Sequence, residues 1–279
     1  MIRRLLPTTL AGLCAAAALA PGALAGGGPS PGVSAGWDGI AAPCGELRYV
    51  TLPAGASTVV AAVRLDGGRV VRFRTLGGRF GVPFVAFDRT PGGLSQDGRT
   101  LVLGQRQRNG LAAASRFAIL STATLRLQQA FTLRGDFAFD ALSPDSRVLY
   151  LIEHVSAQDF SRYRVRAYDL TAGRLLARVI ADKREGTQVM SGSPVTRVAS
   201  SDGGSVYTLY RNDGASPFVH ALDARRGEAV CIDLPWQGSQ DGLSHMRLVL
   251  SPDGRRLALR TGSGKEEAVV DTTTFRVSA

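Results

Sequence analysis

Leu250-Ser-Pro-Asp-Gly-Arg-Arg-Leu-Ala-Leu259 decides the fold, because two short apolar runs flank a four-residue polar turn. The same arrangement stands at Leu94-Ser-Gln-Asp-Gly-Arg-Thr-Leu-Val-Leu103 and at Leu142-Ser-Pro-Asp-Ser-Arg-Val-Leu-Tyr-Leu151. Ser200-Ser-Asp-Gly-Gly-Ser-Val-Tyr-Thr-Leu209 is a weaker copy. In such a turn Pro pre-sets φ, Asp bonds its own backbone, and Gly takes the left-handed position without steric cost. A β-rich run entering and another leaving it is a tight hairpin.

The turn aspartates Asp97, Asp145, Asp202 and Asp253 are 48, 57 and 51 residues apart. A second register interleaves with them, an apolar run followed by Asp or Ser and a short turn, at Asp66, Ser121, Asp169, Asp223 and Asp271. Two signals repeating about every fifty residues mark a repeat architecture. Four β-runs fill each period. Around Asp145 they are Phe137–Leu142, Arg147–Ile152, Tyr163–Tyr168 and Arg174–Ile180. No segment sustains an apolar face of period 3.6 with caps, so helix is expected to be negligible. One four-stranded antiparallel sheet cannot bury both faces alone, and sheets packed radially around an axis bury one another. The expected fold is all-β, a five-bladed β-propeller of four-stranded blades over residues 46–279, with residues 34–43 supplying the inner strand that the first blade lacks.

The runs "LSPDGRRLAL" and "LSPDSRVLYL", the latter followed by "AYDLTAGRLLARV", resemble bacterial SPDG-type propeller repeats of the YVTN and TolB-like families, distant relatives of WD40 propellers. The resemblance covers residues 46–279 and implies a fold more than a function, since those families include binding proteins, scaffolds and some enzymes. The chain has no "YVTN" tetrapeptide, and its one Trp-Asp pair, Trp37-Asp38, lies outside the repeat.

Residues 1–25 read as a signal peptide: a basic Met1-Ile-Arg-Arg start, an apolar stretch and Ala23-Leu-Ala25 as the cleavage site. The mature chain is therefore expected in the periplasm or envelope, or secreted, without a membrane span. Residues 26–45, rich in Gly, Pro and Ser, read as a linker. Cys44 and Cys231 then form either one disulfide or two buried thiols. The net charge of +10 is almost wholly arginine, Lys183 and Lys265 being the only lysines. These cations are scattered rather than clustered with aromatics, so no nucleic-acid partner is expected.

In an up-and-down blade, the turns between the first and second and the third and fourth strands share one rim. Here those turns are tight. The opposite rim carries the long segments Gly104 to Ser115, His154 to Arg162, Ala181 to Pro194, Arg211 to Pro217 and Trp236 to His245. Binding residues concentrate in such loops. Candidates on that rim are Arg106, Arg108, Asn109, His154, Asp159, Arg184, Glu185, Asn212, Asp213, Trp236, Gln240, Asp241 and His245. The bland alternative is a set of solvated polar loops. A non-enzymatic module recognising a protein, peptide or envelope polymer is the first functional expectation, with no cofactor and no metal. The second is a small hydrolase, lactonase or glycosidase in the axial cavity. It would use His154 with His245, or the carboxylates Asp136 and Asp241 at the mouths of inner strands. A structural envelope protein is the third.

Overall fold

A computed structural model describes residues 31–43, 45–105, 110–182, 188–212, 215–236 and 238–278. The chain folds into five four-stranded antiparallel sheets, taken up in sequence order. The first contains Gly36–Ala41, Leu47–Ala54, Ser57–Arg64 and Val70–Gly77, and the second Phe80–Pro83, Thr100–Gln105, Ala114–Ser121 and Leu127–Arg134. The third contains Asp136–Leu142, Val148–His154, Arg162–Asp169 and Arg174–Ile180, with the short Met190–Ser191 beside it. The fourth contains Ser193–Ala199, Ser205–Arg211, Phe218–Asp223 and Glu228–Asp233. The fifth contains Arg247–Leu250, Arg256–Arg260, Glu266–Asp271 and the two-residue Val277–Ser278. Gly36–Ala41 is the inner strand expected from residues 34–43. The segment read as linker thus carries strand from Val33, where Val33–Ser34 pairs with the inner strand of the second blade. Among the described residues the single helical element is a 3-10 turn, Gln240–His245.

The repeated turn owes its stability to its serine as well as to its aspartate. The hydroxyls of Ser95, Ser143, Ser200 and Ser251 each donate to the carboxylate two residues on, at 2.5 to 2.7 Å. Each also accepts the backbone N–H five residues on, at 2.9 Å. These bonds hold the carboxyls of Asp97, Asp145 and Asp253 below the usual range, while Arg225 does most of this for Asp202. The fourth turn residue has positive φ: glycine at 98, 203 and 254, but Ser146 in the third blade. The second register exists because its turn bonds to the first. Backbone N–H groups of Thr122, Leu170, Ala224 and Thr272 donate to the carbonyls of Arg99, Arg147, Gly204 and Arg255. Each blade therefore clips its two tight turns together on one rim.

The core lies between neighbouring sheets. Leu101 and Leu103 meet Val60 and Ala62 between the first two. Phe117 and Ile119 meet Phe137 and Leu149 at the next seam. Tyr150 and Tyr163 meet Tyr210 and Leu222 between the third and fourth, and Leu209 and Val219 meet Leu257 and Val270 between the fourth and fifth. Burying such a side chain contributes about 1.5–3 kcal/mol, so each of these four seams is a small hydrophobic core.

Candidate functional site

The inner strand of the second blade leaves its sheet after Pro83 and resumes at Leu94, whose partner is Leu101. Between them Phe84 to Gly93 fold into a hairpin. Phe84 pairs with Pro91, and the Val85 N–H donates to the Thr90 carbonyl at 2.9 Å. Asp88 Oδ1 accepts the backbone N–H and hydroxyl of Thr90 and shapes the tip, where Arg89 adopts φ of 67°.

This hairpin reaches the inner strands of the other four blades. The N–H groups of Phe87 and Asp88 donate to the carbonyls of Pro194 and Val195 in the fourth, at 2.9 and 3.2 Å. Asp88 lies 4.0 Å from Arg247 of the fifth, and Arg89 lies 3.6 Å from Asp38 of the first. Gly92 sits against Phe139 of the third, so tightly that a Cβ there would come within 2.8 Å of the ring. A segment that touches four inner strands from a fifth lies across the axis. It divides the centre into two ends.

At the tight-turn end is a cavity of about 280 Å³. Its walls include Ile40, Val85, Phe139, Leu142 and Val198, and its charged residues are Asp140 and Arg197. Arg197, on the fourth inner strand, bonds both the Asp140 carboxylate and its backbone carbonyl on the third. Its Nε donates to the Thr208 hydroxyl at 2.8 Å. Both side chains are buried, and Asp140 Oδ2 has no hydrogen-bond partner among the described residues. Asp88 thus serves its own turn, whereas Asp140, also near the end of an inner strand, is committed to an ion pair between blades. The Gln96 side chain reaches across this end to the Ser201 carbonyl.

At the loop-rich end the expected residues fall into separate groups. His154 is buried and its Nδ1 lies 2.8 Å from Asp136 Oδ1, while Asp136 Oδ2 accepts the Ala112 N–H. Asp159 closes its own turn with Ser161, which holds its carboxyl below the usual range. Asn212 accepts the Ala215 N–H through its carbonyl, and Arg211 lies 3.5 Å from Asp241. Trp236 is half-buried and its indole N–H donates to the Ser239 carbonyl. Gln240 begins the 3-10 turn and His245 ends it, exposed. His154 and His245 therefore stand in different surroundings, as do the buried Asp136 and the exposed Asp241. Among the described residues no three of His, Cys, Asp and Glu gather as metal ligands would. Arg106, Arg108, Asn109, Arg184, Glu185, Asp213 and Cys44 lie outside the described residues, and with Cys44 the disulfide expectation. Cys231 is buried between the third and fourth blades.

Sequence reading missed the centre of this end. Phe87 at the hairpin tip is 50% exposed and Trp37 on the first inner strand 58%, and the residue after each, Asp88 and Asp38, meets an arginine, Arg247 and Arg89. Arg89 also lies over the Phe84 ring, 5.1 Å from its centroid. The available signal was Asp88-Arg-Thr-Pro-Gly-Gly93, a second turn cluster ahead of the Ser95 turn.

No family profile matches the sequence, and no curated protein matches it significantly. Solved structures do. The β-propeller domain of Cps50 (Swd1) from Myceliophteria thermophila superposes with a TM-score of 0.50 at 12% identity, over 90% of this chain and 70% of that one. The fold is a β-propeller. The dihydro-heme d1 dehydrogenase NirN, solved in complex with DHE, also gives a TM-score of 0.50 at 13% identity, over 88% of this chain and 45% of its own. TolB from Acinetobacter baumannii gives 0.45 at 16% identity, over 85% of this chain and 53% of its own. At such identities the likeness is one of fold.

Proposed function

We propose that this propeller is a non-enzymatic recognition module which holds a protein, peptide or envelope glycan against its loop-rich end, with the axial hairpin at the centre of the contact. The observation that carries this reading is the exposure of two aromatics, Phe87 and Trp37, each followed by an aspartate that meets an arginine, Asp88 with Arg247 and Asp38 with Arg89. Aromatic and arginine side chains at the middle of a surface supply most of the energy of recognition. The loops carrying Asp159, Asn212, Trp236 and Asp241 form the surrounding rim. We also assign the repeats to the SPDG-type, YVTN and TolB-like group on their four Ser-x-Asp turns, and take residues 1–25 as an export signal, which places the partner in the envelope or outside the cell.

The rival is a hydrolase in the axial cavity, favoured by the unbonded oxygen of Asp140 in the tight-turn pocket. Immobilised mature protein and a Trp37→Ala/Phe87→Ala variant are compared for capture from envelope fractions. The reading expects capture to fall at least ~10-fold, the equivalent of about 1.4 kcal/mol, with thermal stability unchanged. Equal capture by both proteins overturns it. Ester, lactone or glycoside turnover that disappears in Asp140→Asn establishes the rival.

A further inference from the structure

The outer strands of the first two blades, Val70–Gly77 and Leu127–Arg134, are each eight residues long with no residue buried. In the second blade Phe131 is sheltered by stacking on Phe117 and Tyr168, with centroids 5.4 and 4.0 Å away. The first blade shelters nothing comparable: Phe73 is 66% exposed, and Val70 and Val71 are exposed with it. Phe73 lies opposite Ala61, which lies opposite Val50, so it extends the face that bears the isolated patch of Val50, Ala61 and Val63. Arg72 and Arg74 point to the other face, where they donate to the carbonyls of Thr122, Ala123 and Thr124.

Among the described residues, no strand pairs with the outer side of this strand's backbone. The Gly78 N–H donates to the Ala56 carbonyl, and alternation from that pair commits the backbones of Leu76, Arg74 and Arg72 to the neighbouring strand. Phe73 and Thr75 therefore turn their N–H and C=O groups outward. A long, apolar, unprotected edge is a template for another strand. Its surroundings are cationic, with Arg48, Arg64, Arg69, Arg72, Arg74 and Arg79 against Glu46 and Asp66 over residues 46–80.

We propose that this edge receives an extended segment of an acidic polypeptide as a fifth strand of the first blade. Carboxylates of the segment stand opposite Arg72 and Arg74, and an apolar side chain stands opposite Phe73, so the motif alternates acidic and apolar residues. A second copy of this chain fits less well, because antiparallel self-pairing centred on Phe73 sets Arg72 against Arg74.

The test is fluorescence anisotropy with the mature chain and three labelled probes: Glu-Val-Glu-Phe-Glu-Val-Glu, a block scramble of the same composition, and the version with Lys for Glu. The alternating acidic probe is expected to bind and the other two to bind at least ~10-fold more weakly. Thr75→Pro removes an outward N–H while sparing the inner ladder. It and Phe73→Ser are each expected to weaken binding ~10-fold with thermal unfolding unchanged, whereas Phe87→Ala leaves it intact and so separates this site from the axial one. Equal binding of the alternating and scrambled probes, or indifference to Thr75→Pro, overturns the proposal. So does a concentration-dependent dimer, lost in Thr75→Pro, that excludes the acidic probe.

Discussion

The seam between the third and fourth blades and the one between the fifth and first are built on different principles. At the former, Tyr163 stacks on Tyr210 and Tyr210 on Phe218, each at 5.2 Å. The Tyr150 hydroxyl donates to the Ala224 carbonyl at 2.9 Å, and Arg197 grips Asp140. At the latter, no hydrophobic cluster among the described residues bridges the two sheets: Val50, Ala61 and Val63 form a patch belonging to the first blade alone. Nor is a strand shared across it among the described residues. What ties both sides of that seam is the second blade's hairpin, through Asp88 to Arg247 and Arg89 to Asp38. Long pairs with a solvent-exposed arginine are each worth about 0–1 kcal/mol, so the ring is closed weakly at its ends and strongly in its middle.

The contrast is open to measurement. Tyr210→Ala removes a fully packed aromatic from the strong seam and is expected to lower the unfolding free energy by about 3–5 kcal/mol, read by urea denaturation.

Acid should attack the same seam. His220 faces it from the fourth blade, and burial pushes its pKa down to about 4 from an ordinary 6.5. Asp140 and Asp182 oppose this shift while Arg197 adds to it. The unfolded chain protonates first, so stability is complete above pH 6.5 and falls as pH drops towards 4. The loss is about 3 kcal/mol at ~1.4 per unit. Denaturation at pH 7 and 4.5 should show this, and His220→Leu should flatten the dependence.

Gly93→Ala tests the hairpin. Gly93 has φ of 92°, and a Cβ there would fall 2.3 Å from the Val102 carbonyl oxygen, so a cost of about 1–3 kcal/mol is expected. Val50→Ala, at the weak seam, should cost the least, about 1–2 kcal/mol. A loss at Val50 as large as that at Tyr210 would erase the distinction between the seams.

The blade was readable because its instructions are local. Ser, Asp and a residue at positive φ satisfy one another within six positions, and the apolar runs on either side need only the sheet they enter. The hairpin was not readable, since Asp88-Arg-Thr-Pro-Gly-Gly93 has the composition of any rim turn, and nothing in it says that Phe87 will bond Pro194. Asp140 and Arg197 were hidden for a related reason. They sit 57 residues apart on different sheets, and the face each occupies depends on a bulge in its own strand, between Phe139 and Ala141 for Asp140 and between Pro194 and Thr196 for Arg197. Loop length located the larger rim but not the aromatics at its middle, because Trp37 falls in a stretch whose glycine and proline suggest a tether.

The blades are encoded one after another, apart from the two residues Val33 and Ser34 that join the second. On a ribosome each can take shape from short-range pairings soon after it emerges, which favours rapid, stepwise acquisition of structure. The Phe87–Pro194 hydrogen bond cannot, since its ends are more than a hundred positions apart. The nascent chain therefore carries a finished second blade with its finger unanchored until the fourth arrives, and that interval is when proteases and chaperones would find it.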